Sequence, residues 1–298
     1  MRRTNKIAVV IAILTAVMIV LAALFGPYSC FLDLLNDQIS RECEFRPFYA
    51  GVPGQPSTRE FMSELGDLED AFPVVQAEAL AVFKDHRAAR ERGQKGVPRM
   101  DETYNNMFRP PGGEKGGPLG RARRFVADCA ARAIYGKDVN IFDEIGSDDW
   151  RTFNLILFDH DVPGNADRCP EMVRLLKRVP GMQSSLISII APGARIPPHN
   201  DPAKGVIRYH LAFKVPQDRE NCFIKVDGQK YHWAEGEGVV FDDVYDHSVQ
   251  NNTDEYRVIL FVDILRPLKG VPRALQTLAN VANNYNPGVR RLIEASRV

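Results

Sequence analysis

From Gln183 onward, short apolar runs alternate with turn signals, and that rhythm limits the folds open to the chain. The runs span 184–190, 207–215, 223–226, 230–233, 238–241, 248–251 and 256–265. Pro192-Gly193, Asp227-Gly228, Glu237-Gly238 and Asn251-Asn252 separate them. Asp-Gly is a strong hairpin signal because both positions tolerate the positive φ of a tight turn. Short strands in this number and spacing predict a sandwich or barrel, such as a jelly roll. The fold class expected is therefore mainly β with flanking helices.

The remainder reads as helix and loop. Residues 27–56 read as a tether, rich in Pro, Gly and aromatics from residue 44. Ser57 caps a helix starting near Thr58, with Glu60 as its capping-box partner. A longer helix is expected over 69–92, with Pro73 tolerated in its first turn. Residues 93–120 carry Gly, Pro and Lys without a period and read as a long loop or site cover. Residues 120–135 read as helix, 152–158 as strand, and 169–179 as a short helix opening at Pro170. After residue 268 the chain returns to helix, with a second short one opening at Pro287. This divides the chain into 1–26, 27–56, 57–149, a β core over 150–267, and 268–298.

Residues 7–25 are apolar apart from Thr15, and Arg2, Arg3 and Lys6 precede them. At about 1.5 Å per residue the run approaches the ~30 Å hydrocarbon thickness of a bilayer. It is longer than the apolar region of most cleaved signal peptides. It is expected to be a single uncleaved transmembrane anchor, with the N-terminus cytoplasmic by the positive-inside rule. Lys+Arg and Asp+Glu both total 38, so no basic excess points to nucleic acid. The five cysteines include no Cys-x-x-Cys pair, which disfavours a structural zinc site. Whether Cys129 and Cys169 pair is open from sequence.

Four of the six histidines fall in the strand-rich region. His199 and Asp201 form a His-x-Asp at a strand end, which places imidazole and carboxylate on one side. His247, following Asp246, can close the face from another strand. Two histidines and a carboxylate leave metal positions open for a co-substrate and O₂. A 2-oxo diacid needs a cation for its distal carboxylate, best met by arginine. Arg257 stands before the apolar run 258–262, and Ser188 is a hydroxyl donor within another. Arg208 and His210 face one way on a strand and suit a carboxylate of co-substrate or substrate. Trp233 reads as core. Asp242 or Asp243 is a candidate acceptor for a metal-bound histidine, or simply a solvated turn residue. Asn251-Asn252-Thr253 is a glycosylation sequon. His86, His160 and His232 are read as non-functional.

The stretch 184–267 resembles the aspartyl/asparaginyl β-hydroxylase domain family. The resemblance runs through Ser188, Pro198-His199, Arg208-Tyr209-His210-Leu211, Trp233, Glu235-Gly236, Val240-Phe241-Asp242-Asp243, His247, Arg257, Val262-Asp263 and Pro267. It implies a double-stranded β-helix, Fe(II), 2-oxoglutarate and O₂. His199 and His247 then bind iron, Ser188 and Arg257 hold the distal carboxylate, and His210 and Arg208 serve the other end or the substrate. The family's animal peptide hydroxylase has Gly where this chain has Asp201. Its bacterial lipid A hydroxylases share His-x-Asp-Pro and Arg-Tyr-His-Leu, so the triad here is expected to be His199, Asp201 and His247.

The function expected is a membrane-anchored Fe(II)/2-oxoglutarate dioxygenase that hydroxylates a C–H bond, first on a lipid acyl chain. The alternatives are a peptidyl aspartyl/asparaginyl hydroxylase and a catalytically silent jelly-roll binding module. Topology leaves the first two open. A bacterial lipid hydroxylase needs cytoplasmic 2-oxoglutarate, whereas the charge rule puts the domain across the membrane.

Overall fold

The computed structural model describes residues 28–108, 150–201, 203–284 and 287–298. The anchor expected at 7–25 and the helix expected at 120–135 lie outside these. Among the described residues, no helix is long and apolar enough to cross a membrane.

Eleven strands are described: β1 Phe48–Ala50, β2 Trp150–Leu157, β3 His160–Asp161, β4 Met182–Ile190, β5 Arg195–His199, β6 Val206–Lys214, β7 Cys222–Val226, β8 Gln229–Tyr231, β9 Gly238–Phe241, β10 His247–Asn251 and β11 Arg257–Leu265. All seven strands expected from the runs after residue 183 are present. They form one sheet ordered β1-β9-β6-β11-β4-β2-β3 and a second ordered β5-β10-β7-β8. Every pairing is antiparallel. Strands β4 to β11 thus split between the sheets in the pairing order of a jelly roll.

Side-chain alternation decides what each face does. On β6, Ile207, Tyr209, Leu211 and Phe213 join the core beneath the helices, while Ala212 joins the core between the sheets. On β11, Val258, Leu260, Val262 and Ile264 face the helices and Ile259 faces inward. The inter-sheet core takes Phe48, Ile190, Val239 and Phe241 from the large sheet and Ile196, Ile224, Val226 and Val249 from the small one. Each fully buried aliphatic side chain contributes about 1.5–3 kcal/mol, so the apolar runs fix both faces of the large sheet.

Helices cover the outer face. They are α1 Tyr28–Glu42, α2 Thr58–Phe61, α3 Ser63–Asp70, α4 Phe72–Glu91, α5 Met100–Phe108, α6 Asn165–Arg168, α7 Pro170–Leu176, α8 Gly270–Asn284 and α9 Pro287–Ser296. The Ser57–Glu60 capping box is present, and Pro73 sits in the first turn of α4. Leu65, Leu68, Val75, Ala79 and Val82 carry α3 and α4 onto the sheet.

Three expectations are corrected. The supposed tether contains α1, whose Leu35 and Ile39 pack on Leu268 and Leu275, and β1, which pairs with β9. The supposed loop 93–120 contains α5, within 100–108. Strand β5 was not among the seven runs, although His199 was expected at a strand end; the strand carries Pro197 and Pro198. It lies at the edge of the small sheet, where a missing N–H is tolerated.

Candidate active site

The small sheet brings the two histidines together. His199 ends β5, His247 opens β10, and the two are direct register partners. Their ring centroids are 4.1 Å apart. His199 Nδ1 is 2.8 Å from the Pro197 carbonyl and His247 Nδ1 is 2.9 Å from the Tyr245 carbonyl. A carbonyl only accepts, so each neutral ring carries its proton on Nδ1 and presents the Nε2 lone pair. Burial lowers the His199 pKa, and burial with the neighbouring His199 and Arg208 pushes His247 down to about 3. Both rings are therefore neutral at ordinary pH, which is the form that ligates a metal. Backbone carbonyls orient them. Asp242 and Asp243, considered for that task from sequence, are occupied elsewhere: Asp242 pairs with Arg266 at 2.7 Å and Asp243 with Arg208 at 2.8 Å.

The large sheet supplies the second part. Arg257 is opposite Ile190 on β4, and Ser188 is opposite Ile259, so Ser188 and Arg257 share the inner face. Arg257 is buried, with its guanidinium 4.8 Å from the Trp233 ring centre. Its Nε and Nη1 have no hydrogen-bond partner, and burial lowers its pKa to about 10. His210 is also buried, and neither ring nitrogen has a partner. Burial, then Arg257 and Arg208, hold it well below its ordinary pKa. The Trp233 Nε1 and Tyr231 hydroxyl are likewise without partners. Buried donors in this condition are costly unless a polar ligand meets them. The arginine and serine fit a carboxylate, and the paired Nε2 atoms fit a metal ion.

Sequence reading missed one contact. Trp150 Nε1–H donates to Ser188 Oγ at 3.1 Å, which leaves the serine hydroxyl proton for another acceptor. The indole is at the start of β2, directly across β4 from Arg257's partner Ile190, a relation no local motif announces. Trp233, read as core, is core and also the aromatic floor under Arg257.

Asp201 and Arg208 depart from the expected arrangement. Arg208 Nη2 is 3.0 Å from Asp201 Oδ2 and 2.8 Å from Asp243 Oδ2, and its Nε is 3.1 Å from Asp263 Oδ1. The guanidinium also stacks 4.3 Å from the Phe261 centre. Arg208 is thus spent on three carboxylates rather than held ready for a substrate acid. Burial opposes ionisation of Asp201, but Arg208, a hydrogen bond from Asp243 and the two histidines together outweigh it and hold the carboxyl below its usual range. Burial pushes Asp243 well above it. Among the described residues no group of three or more His, Cys, Asp or Glu is arranged to hold a metal ion. The histidine pair is assembled, and the carboxylate expected beside it is turned to Arg208. The sequon does not present an acceptor, since Asn251 is buried and its amide donates to the Ala191 and Glu255 carbonyls.

The fold is a jelly roll that brings two histidines together and buries an arginine with two unpartnered nitrogens. Residues 125–267 match the aspartyl/asparaginyl β-hydroxylase family model. The match takes in just under half of the chain and includes every candidate site residue named above. Over 134 residues the chain is 40% identical to an ornithine lipid ester-linked acyl 2-hydroxylase of Rhizobium tropici, covering 45% of this chain and 48% of that one. It is 29% identical over 147 residues to the human aspartyl/asparaginyl beta-hydroxylase, covering 48% of this chain and 19% of that one. The chain therefore spans less than half the length of these curated relatives. Among solved structures it is similar to a Cupin 2 conserved barrel domain protein of Salinispora arenicola, with a TM-score of 0.28 and 14% identity, covering 47% of this chain and 92% of that chain.

Proposed function

We propose that the chain is an Fe(II)- and 2-oxoglutarate-dependent hydroxylase acting on an acyl chain of a membrane lipid. The observation that carries this reading is the pairing of two neutral histidines, each with Nδ1 held by a carbonyl, in a site whose buried Arg257 has unpartnered donors. His199 and His247 hold the metal, with Asp201 the nearby carboxylate. Bound there, Fe(II) supplies the C–H oxidation, with 2-oxoglutarate and O₂ converted to succinate and CO₂. Arg257 takes the distal carboxylate of 2-oxoglutarate, and Ser188, oriented by Trp150, donates its hydroxyl proton to the same group. Neutral His210 offers one N–H to a second acceptor. Trp233 and Phe241 keep water from the space between the sheets.

The state of Arg208 favours a lipid over an acidic peptide. With Asp201, Asp243 and Asp263 around it, it offers an incoming aspartate no uncompensated cation. A neutral acyl chain asks for none. The Rhizobium relative, which acts on a lipid acyl chain by its name, supports the same choice. Residues 7–25, as a membrane anchor, keep the enzyme beside such a substrate. Total-lipid mass spectrometry tests the reading in cells carrying wild-type protein or His247→Ala. The expected result is a lipid species 16 mass units heavier only with wild type. A hydroxylated Asp or Asn peptide with unchanged lipid would select the peptidyl activity instead.

A further inference from the structure

The loop between β5 and β6 carries Asp201 and follows His199 directly. Residues 200, 201 and 203–205 form neither helix nor strand, so their course is set by what grips them. At the near end, His199 pairs with His247 and the Asp201 N–H donates to the Asp243 carbonyl at 2.9 Å. At the far end the grip comes from α1, α8 and Arg266. The Lys204 N–H donates to Asn36 Oδ1 at 3.0 Å, and its ammonium donates to Ser40 Oγ at 2.7 Å. The Lys204 carbonyl accepts from Arg266 Nε at 2.8 Å. The Gly205 carbonyl accepts from Gln276 Nε2 at 2.7 Å and from the Arg266 N–H at 2.8 Å. Gly205 is pressed so closely that an added Cβ would stand 3.2 Å from Gln276 Nε2 and 3.7 Å from Ile39 Cδ1.

We propose that α1 is the positioning element of the metal-holding loop, acting through Asn36 on the backbone of Lys204. The proposal rests on reading His199 and His247 as the metal-holding pair. Two facts single out α1. Ile39 is fully buried and Leu35 nearly so, against Leu268, Phe45 and Leu275, which makes the helix part of the core. And Asn36 accepts from the Lys204 N–H, three residues along the loop from Asp201. The helix opens at Tyr28, three residues beyond the apolar run.

The test is a Co²⁺ titration of the full chain without co-substrate, comparing wild type with Asn36→Ala, Asn36→Asp, Ser40→Ala and His247→Ala, with a thermal melt of each. One lost hydrogen bond to the loop should weaken Co²⁺ binding by roughly threefold to tenfold in Asn36→Ala. Asn36→Asp keeps an acceptor in place and should restore it. Ser40→Ala, at an exposed site, should act in the same direction more weakly. Wild-type Co²⁺ affinity in Asn36→Ala, or a loss that Asn36→Asp does not restore, would overturn the proposal. His247→Ala separates the two questions. Its retention of wild-type affinity would remove the metal assignment and the proposal with it, whereas its loss beside an unaffected Asn36→Ala would remove the proposal alone.

Discussion

The Arg257 guanidinium lies against the face of Trp233, 4.8 Å from the ring centre, with two of its nitrogens unpartnered in a buried site. An arginine desolvated this far is costly to keep unless an anion meets it. Arg257→Ala should therefore raise the 2-oxoglutarate requirement by several hundred- to a few thousand-fold, the equivalent of about 3–5 kcal/mol. Arg257→Lys should recover only part, lacking the planar fork. Ser188→Ala should cost less, about 1.5–3 kcal/mol. Co-substrate titration of turnover reads all three, and an unmoved curve in Arg257→Ala would place the carboxylate elsewhere.

For the histidine pair, the expected outcome is loss of divalent metal binding in either His199→Ala or His247→Ala, with the β-sheet circular dichroism retained. Asp201→Ala then distinguishes two kinds of site. A fall in metal affinity makes Asp201 a ligand that leaves Arg208 when the metal arrives. Unchanged affinity makes it a fixture of the Arg208 cluster and leaves two protein ligands.

Arg208 is predicted to matter for stability as well as for the site. Its side chain is 12% exposed and that of Asp243 is 2% exposed. Removing it leaves the buried acids Asp201, Asp243 and Asp263 without their shared cation, so Arg208→Met should lower unfolding free energy by about 3–5 kcal/mol. The surface pair of Arg59 and Asp70, exposed at 46% and 74%, provides the control: Arg59→Met should change stability by less than about 1 kcal/mol. Urea denaturation compares them, and equal effects would show that the buried cluster is not fixed in solution.

Sequence alone puts the start of a soluble form near Phe45, but α1 moves that boundary upstream. A chain beginning at residue 27 should keep the melting temperature of the whole protein. One beginning at residue 45 loses the burial of Leu35 and Ile39, each the size of a core deletion of about 2–5 kcal/mol, and should melt well below it. The longer truncate should also hydroxylate a soluble short-chain analogue normally and membrane lipid poorly, because anchoring raises effective concentration. Equal activity of full-length and truncated chains on membrane lipid would count against that role for residues 7–25.

The strands were legible because Ile, Val, Leu and Phe alternate along them and Gly-containing turns divide them. The site residues were legible as types: two histidines, a serine and an arginine in the order the family displays. Their partners were not. Arg208 meets Asp243 and Asp263 only because β6 lies between β9 and β11, and Trp150 meets Ser188 only across β2 and β4. Such neighbours depend on register between distant segments, which no local pattern states. The same holds for α1: Leu35 and Ile39 signal a core only once Leu268 and Leu275 stand opposite them.

Strand β5 carries Pro197 and Pro198 among its five residues and is the edge of the small sheet among the described residues. Backbone N–H groups alternate in direction along a strand, so one of these two prolines removes an outward-facing N–H and disfavours the addition of a further strand, whether from an extended peptide or from a second copy of the chain. The rim of the jelly roll beside His199 is thereby a poor template for pairing with another backbone.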